Sequence, residues 1–477
     1  MPRGDRQVTP EEFRKIGHAL IDWIAEYRGN LRDYPVMSQV APGEIKAKLP
    51  PAPPHQAESL ADIVREIASD IMPGVSHWQH PSFHAYFPAN AHFGSVLGDL
   101  VSSGLGVVGV SWQSSPALTE VEEVVTEWVR QMLGLPDGWL GAIEDSASIA
   151  TLVALLIARE RGSDYCAERG GLQAEAQPLV VYGSDQSHSS VDKAALLAGF
   201  GRNNIRHVST DAAFAMDPDA LRHSIAADVA AGRKPCAIVA TTGTTATTAM
   251  DPIGAIADIA REYGMWLHVD AAMAGAAMVL PECRHLWDGI EKADSVVING
   301  HKWLGVNFDC SLLFVRKAGE LTRVMSTNPS YLQSSADAKV RNLRDWGLPL
   351  GRRFRAMKLW FMLREEGVAG IQSRIRRDLA MAQWLKQAVD QAPDWRVVAP
   401  VPLQTVCVRH EPAGLAGDAL DRHTLAWAER VNRSGRAYVT PAQLQGRWMV
   451  RLSLGSSTTE QSDVEALWQV LQWSVAA

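Results

Sequence analysis

Trp266-Leu267-His268-Val269-Asp270-Ala271-Ala272 and Ser295-Val296-Val297-Ile298-Asn299-Gly300-His301-Lys302-Trp303 decide how this chain is read. Each opens with a short apolar run and ends in charged or polar residues. Such runs fit strands of a parallel sheet, buried on both faces. Open α/β sheets place ligands at the carboxyl ends of these strands. One strand end then presents the carboxylate of Asp270, and the next presents the amine of Lys302. A pyridoxal phosphate site requires that pair, a lysine for the Schiff base and an acid to hold the pyridinium proton. The blander reading makes Lys302 a solvated loop residue and Asp270 a turn former or helix cap. Spacing alone leaves both readings open.

Outward from this pair, βα alternation runs from about Pro88 to Arg316. Strands are predicted at Leu179–Tyr182, Ile205–Val208, Ala237–Thr241, Trp266–Val269, Ser295–Ile298 and Ser311–Val315, with helices such as Ser148–Arg161 and Pro218–Ala231 between them. That order implies a mostly parallel sheet with right-handed crossovers. Upstream, Thr9-Pro10-Glu11-Glu12 has a capping threonine, proline at the first helical position and glutamate at the third. Phe13, Ile16, Leu20, Trp23, Ile24 and Tyr27 then recur at helical spacing. Leu49-Pro50-Pro51-Ala52-Pro53-Pro54 is a stiff connector, and a second helix is predicted over about Leu60–Met72. After Arg353 the chain reads as helix to about Val389, then as strands Arg396–Val398, Thr405–Arg409 and Trp448–Leu452, with a last helix from about Thr459. The division expected is a helical arm (1–87), a large α/β domain (88–353) and a small α+β domain (354–477).

At 477 residues the chain can bury a large core in two or three domains. Its 47% hydrophobic and 21% charged residues are those of an ordinary globular protein. A net charge of -7 and a pI near 6.1 argue against nucleic acid or an anionic membrane as partner. No apolar run can span a bilayer, and MPRGDRQVTPEEF lacks the apolar core of a signal peptide. Five scattered cysteines suggest reduced thiols, so a cytoplasmic enzyme is expected. Gly104-Leu105-Gly106-Val107-Val108-Gly109 satisfies G-x-G-x-x-G, but the preceding Ser95–Val101 looks helical, and no dinucleotide site is expected. His77, His80, His84 and His92 cluster without a cysteine or acidic partner, so a structural or pocket-lining role, and no metal, is expected.

The stretch His268–Val315, HVDAAMAGAAMVLPECRHLWDGIEKADSVVINGHKWLGVNFDCSLLFV, closely resembles the aromatic-L-amino-acid decarboxylases, group II pyridoxal phosphate enzymes. The resemblance continues through HPSFHAYFP (His80–Pro88), SWQSSPALTE (Ser111–Glu120), DSASIATLVALLIARER (Asp145–Arg161), SDQSHSSVDKAALLAG (Ser184–Gly199) and PLGRRFRAMKLWFMLR (Pro349–Arg364). It covers nearly the whole chain and is weakest in the last stretch. It implies the fold type I of pyridoxal phosphate-dependent transferases and a homodimer with active sites at the subunit interface, the arm packed over the partner. It also implies that Lys302 forms the Schiff base, that Asp270 pairs with the pyridine nitrogen, and that Ala272 packs close to the ring. The family commonly has tyrosine next; here Met273 stands there and alters the local pocket.

His188, on composition a surface or capping histidine, matches the imidazole stacked on the cofactor and able to assist proton transfer. Asp145-Ser146-Ala147-Ser148 opens a helix whose hydroxyls and free N–H groups suit a phosphate. Ala147 and Ser148 match the family's binding positions there, Thr245 matches a threonine near the cofactor, and Asn299 and His301 match phosphate-end and Schiff-base neighbours. Tyr331 lies in Ser326–Leu332, followed by the polar Gln333–Lys339, a segment that reads as a mobile lid. The resemblance makes Tyr331 the donor of the α-carbon proton after CO₂ leaves, reaching across the dimer.

Tyr86 and Phe87 match an aromatic substrate pocket, with Ala89 where animal relatives carry a hydroxyl. Val108 and Val110 stand where the family has larger apolar residues, which predicts a roomier pocket. Gly351 matches a position that is glycine in plant enzymes for indole substrates and serine in those for phenolic ones. An apolar pocket separates aromatic substrates from glutamate, which would need a buried cation. The expected reaction is decarboxylation of DOPA, 5-hydroxytryptophan, tryptophan or tyrosine to the amine and CO₂. The nearest rival is an oxidative aldehyde synthase on the same scaffold, followed by an aminotransferase-like enzyme. A scaffold without cofactor is disfavoured by the intact Lys302 and Asp270.

Overall fold

The computed structural model describes residues 8–327 and 329–476, apart from the Tyr331 side chain. Seven strands make the central sheet: β1 (Leu140–Glu144), β2 (Leu179–Ser184), β3 (Ile205–Val208), β4 (Lys234–Thr241), β5 (Trp266–Asp270), β6 (Ser295–Asn299) and β7 (Ser311–Val315). They lie in the order β1-β7-β6-β5-β4-β2-β3. The run from β6 to β3 is parallel, and β7 alone runs against its neighbours β6 and β1. Strands β5, β6 and β7 are buried at every position, as their unbroken apolar runs required. Helix Ala147–Gly162 crosses β4 to β7, and most of its residues from Ala150 to Glu160 are buried, so its pattern is apolar nearly all round.

Strand β1 was not anticipated. It carries Gly141 at a point where a Cβ would come within 2.7 Å of the Phe314 ring and 2.8 Å of Thr126, so close packing replaced apolar bulk there.

A second sheet, order β10-β11-β9-β8, is antiparallel throughout: β8 (Trp395–Val397), β9 (Thr405–His410), β10 (Thr440–Leu444) and β11 (Arg447–Ser453). With helices Gly417–Arg433 and Gln461–Ala476 it encloses a separate core of Met381, Leu385, Trp395, Val406, Trp427, Val450 and Leu467. Strand β10 also escaped the sequence reading, because it is an edge strand carrying Pro441. Helix Ala356–Gln391, broken at Gly367, joins the two units. Its residues up to Ile375 pack in the large core and those from Met381 in the small one, whereas the expected boundary at 353/354 falls at its start.

The arm helix Pro10–Gly29 has its capping box, with the Thr9 hydroxyl accepting from the Glu12 N–H at 3.2 Å and the Glu12 carboxylate accepting from the Thr9 N–H at 3.2 Å. None of its residues is buried within one chain. The second arm helix is regular only over Leu60–Glu66 and then widens into a π-turn at Ile67–Ile71. The Gly104–Gly109 segment ends helix Phe93–Leu105, with Gly106 at φ 61 as its left-handed terminus. His77 bonds the Tyr27 hydroxyl at 2.8 Å, and His80 accepts from the Ser82 N–H at 2.9 Å. Burial pushes both His80 and His84 down to about 4. Among the described residues no helix is long and apolar enough to cross a membrane.

Candidate active site

The carboxyl ends of β4, β5 and β6 open into two adjoining cavities. The inner one is lined by Ser146, Ala147 and Ser148 from the start of helix Ala147–Gly162, and by Asp270, Ala272, Met273 and Asn299. The outer one, of about 590 Å³, is lined by Trp78, Tyr86, Ala89, His301, Phe308 and Arg451 among others. Phe87, His188, Thr245 and Lys302 line both. The sequence pair is therefore one site.

Asp270 ends β5 with its Oδ1 accepting from the Ala272 N–H at 3.0 Å, which fixes the direction of the carboxylate. Lys302 follows β6 in the tight Gly300–Leu304 turn, at a non-helical φ of -101 and ψ of -116. Asn90 holds this turn, its Nδ2 donating to the Lys302 carbonyl at 3.1 Å and to the Gly455 carbonyl at 2.8 Å. Burial lowers the Lys302 amine from its ordinary value; Asp270 opposes that shift and Arg451 adds to it. The amine is thereby biased toward the neutral, nucleophilic form.

His188 accepts from the Ser190 N–H at Nδ1 (3.1 Å), which leaves Nε2 to carry the ring proton of the neutral tautomer. Burial lowers its pKa, opposed by Asp270 and aided by Lys302. His301 accepts from the Cys310 N–H at 2.9 Å and leans on Phe308, and burial takes it down to about 4. Asn299 accepts from the Ser311 hydroxyl, which leaves its amide nitrogen free of that bond. At the helix start, Ser146 caps the Ile149 N–H, and the first-turn N–H groups have no intrahelical acceptor. Gly243, at φ 84, belongs to the cavity wall, where a Cβ would meet Ala274 Cβ at 2.6 Å. Met273 lines the inner cavity and takes the Gln404 amide on its sulfur at 3.1 Å.

The outer cavity has an aromatic wall. Trp78 stacks on Tyr86 at 5.6 Å, and the Tyr86 hydroxyl pairs with that of Tyr438 at 3.1 Å. Tyr86 itself is held at a positive φ of 51 and ties its N–H to the Thr440 hydroxyl at 2.7 Å. The cavity also holds a cation that the sequence reading did not anticipate. Arg451 of β11 reaches into it, its guanidinium 4.3 Å from the Phe87 ring centroid, while Lys302 Nζ stands 5.3 Å from the same centroid. Arg451 is 3% exposed, and its Nε and Nη2 have no hydrogen-bond partner. Sequence reasoning missed Arg451 and Asn90. The available signal for Arg451 was a charge interrupting the apolar run Trp448–Leu454.

Twelve of the sequence-predicted positions meet at the two cavities. Ala147, Ser148, His188, Thr245, Asp270, Ala272, Asn299, His301, Lys302, Tyr86, Phe87 and Ala89 line one or both cavities. Val108, Val110 and Gly351 do not. Val108 is 58% exposed and packs beside Gly351, held by the paired backbone bonds between Gly109 and Arg352 at 2.8 and 3.0 Å. The backbone of Tyr331 forms part of the short turn Ser330–Leu332, and its side chain lies outside the described residues.

Known proteins resemble this chain over nearly its whole length. The pyridoxal-dependent decarboxylase conserved domain matches residues 42–411. A tryptophan decarboxylase of Camptotheca acuminata is 41% identical, over 98% of this chain and 95% of its own length. A phenylacetaldehyde synthase of Arabidopsis thaliana is 39% identical, over 98% of this chain and 96% of its own. The crystal structure of Oryza sativa TDC with PLP and tryptamine superposes with a TM-score of 0.95 at 36% identity, covering 99% of each chain.

Proposed function

The chain belongs to the pyridoxal-dependent decarboxylase family, and we propose that it converts aromatic L-amino acids to the corresponding amines and CO₂, with pyridoxal 5'-phosphate held at Lys302. The observation that carries this reading is the pair of adjoining cavities that share Phe87, His188, Thr245 and Lys302. The inner cavity has what the cofactor needs: a helix start with unbonded N–H groups for a phosphate, an oriented carboxylate, and the small Ala272 in the wall where a flat ring must lie close. The outer cavity has what an aromatic side chain needs.

When bound, the cofactor supplies an electron sink for the bond broken at the α-carbon. The chain's own residues do the rest. Ala147, Ser148 and Asn299 would hold the phosphate end, and Asp270 would pair with the ring nitrogen. Lys302, whose amine burial lowers from its ordinary value, would hold the cofactor. His188 presents its Nε2 proton to the space shared by both cavities and orients the reacting groups. Tyr331 returns a proton to the α-carbon.

We further infer a cytoplasmic homodimer. Support comes from apolar side chains exposed in one chain: Phe93, Leu97, Leu100, Leu105, Leu348 and Leu350, with Phe308 at 69% exposure beside the outer cavity. Val108, Val110 and Gly351 then serve the partner's cavity. All five cysteines are buried free thiols, in keeping with a reducing compartment.

A panel of DOPA, 5-hydroxytryptophan, tryptophan and tyrosine, with CO₂ and amine quantified, tests the reading. No CO₂ from any of them would remove it. The likeness to the phenylacetaldehyde synthase favours one alternative, oxidative release of aldehyde, which the same assay detects as oxygen uptake and ammonia. A tyrosine at 331, the proton donor that the resemblance implies, is what the amine product requires.

A further inference from the structure

The polar stretch after the Ser330–Leu332 turn is folded around one carboxylate. Asp337 accepts from the Ser334 N–H at 3.1 Å and from the Ser334 hydroxyl at 2.6 Å, which closes Ser334–Asp337 into a turn. These bonds first, and lesser interactions with Asn342 and Arg344, hold the Asp337 carboxyl below its ordinary value, so it is charged at neutral pH. From outside the turn, the Asn342 amide donates to Asp337 Oδ1 at 3.2 Å, and Arg344 pairs with Oδ2 from 3.8 Å.

Asn342 is 8% exposed, and the other end of its amide is used elsewhere. Its Oδ1 accepts from the Trp112 N–H at 3.0 Å. Trp112 opens the turn Trp112–Ser114, where the Ser114 hydroxyl oxygen accepts from the Val110 and Ser111 N–H groups at 3.0 and 3.1 Å. A donor must face the carboxylate and an acceptor must face the N–H, so only one orientation of the amide satisfies both. Neither leucine nor aspartate could serve both ends. The asparagine stands on a firm base: its carbonyl accepts from the Asp345 N–H at 3.0 Å, and the next residue, Leu343, is buried in the large core.

We propose that Asn342 is a positioning residue that seats the lid turn and the Val108–Val110 segment from one fixed point. This rests on the decarboxylase reading, in which Tyr331 returns the proton and Val108 and Val110 serve the partner's cavity. Ser334 follows Tyr331 by three positions, so a seated turn confines the Tyr331 backbone to within about 10 Å of it. The Val110 N–H is held through Ser114 on the same support. Asn342 itself lines neither cavity, so it acts through these two segments. Proton return and aryl recognition are thereby kept in register by one side chain.

The test separates the two ends of the amide. Asn342→Asp keeps the acceptor for the Trp112 N–H but sets a carboxylate against Asp337, so it releases the lid turn alone. Asp337→Ala releases it from the other side. Ser114→Ala loosens Val110 and leaves the lid bond in place, and Asn342→Leu removes both supports. Each is made in the holoenzyme, and three quantities are read: the rate of tryptic cleavage after the exposed Lys339, the amine-to-aldehyde ratio, and kcat/KM for tryptophan relative to tyrosine.

Asn342→Asp and Asp337→Ala should raise the cleavage rate and lower the amine-to-aldehyde ratio about tenfold each, the worth of one hydrogen bond to a charged group. Their tryptophan-to-tyrosine ratio should stay within about twofold of the parent's, against a 10-fold or larger effect of a methylene-sized change in the pocket itself. Ser114→Ala should do the reverse, moving the substrate ratio about 3- to 10-fold with cleavage and product unchanged. Asn342→Leu should show both effects, and the other three variants carry the test by themselves if it does not fold. Unchanged cleavage in Asn342→Asp overturns the proposal. So does a lowered unfolding midpoint with product and substrate ratios both unmoved, because Asn342 would then serve folding alone. Absence of CO₂ from every aromatic substrate in the unaltered enzyme would instead defeat the decarboxylase reading, while the anchor would still stand or fall on the cleavage rates, which need no turnover.

Discussion

Replacing Gly351 by serine adds a hydroxymethyl group where the backbone permits one. The glycine's φ lies outside the left-handed region, and a Cβ built there meets a single atom within 4 Å, Val108 Cγ1 at 3.3 Å. Backbone geometry therefore does not explain the glycine. Val108 is 58% exposed and can give by a few tenths of an ångström, so the cost to folding should stay within about 0.5 kcal/mol. The consequence falls on whatever enters the space beside Val108. In the proposed homodimer that is the aryl group in the partner's outer cavity. A methylene-sized volume is worth about 1–3 kcal/mol in such a pocket, or roughly 10- to 200-fold in relative kcat/KM. The assay compares kcat/KM for tryptophan and 5-hydroxytryptophan with that for tyrosine and DOPA. Gly351→Ser should lower the indole-to-phenol ratio by that factor. Adding Val108→Ala should restore part of it, with a coupling of about 0.5–3 kcal/mol in the double-mutant cycle. Equal losses for both substrate classes, or no coupling with Val108, would refute the volume argument.

Lys302→Ala should retain cofactor without a covalent link, so borohydride no longer fixes its mass on the chain, and turnover should fall by several orders of magnitude; near-normal turnover would remove Lys302 from the mechanism. Tyr331→Phe should divert product from amine to aldehyde, with oxygen consumed and peroxide and ammonia formed; an unchanged amine yield would assign the proton to another group, His188 first. Glu144→Gln tests a buried charge: Glu144 is 2% exposed and burial raises its pKa to about 7, with Arg352 opposing the shift from 4.0 Å. A raised carboxyl contributes stability that is complete below its unfolded pKa and is lost as pH rises through about 7. The glutamine variant should therefore gain on the parent between about pH 4.5 and 7, by about 3 kcal/mol at most. Parallel unfolding midpoints across that range would show that Glu144 is not the titrating group.

What the sequence disclosed follows the range of the forces involved. Asp270 and Lys302 were legible because the first ends a buried strand and the second follows one, so that strand and charged residue lie within a few positions of one another. Strands β1 and β10 were not, because Gly141 and Pro441 trade apolar pattern for close packing and an edge position. Residues matched by family position, such as Ala147 and Thr245, do line the inner cavity, whereas Val108 and Gly351, matched in the same way, line neither cavity of the chain.

Arg451 is the sharper case. It belongs to a strand of the small unit, far along the chain from Lys302, and only the fold sets both against Phe87. In sequence it is one arginine among many, and a strand arginine is ordinarily an exposed one. Its meaning comes from what the tertiary structure withholds. Arg352, equally buried, is answered by Glu122 at 2.6 Å, whereas Arg451 is buried and left unanswered. Both arginines bear the desolvation cost, but in the folded chain only the Arg352 pair offsets it. The contrast between the two arginines is set by tertiary packing, and no local pattern could have shown it.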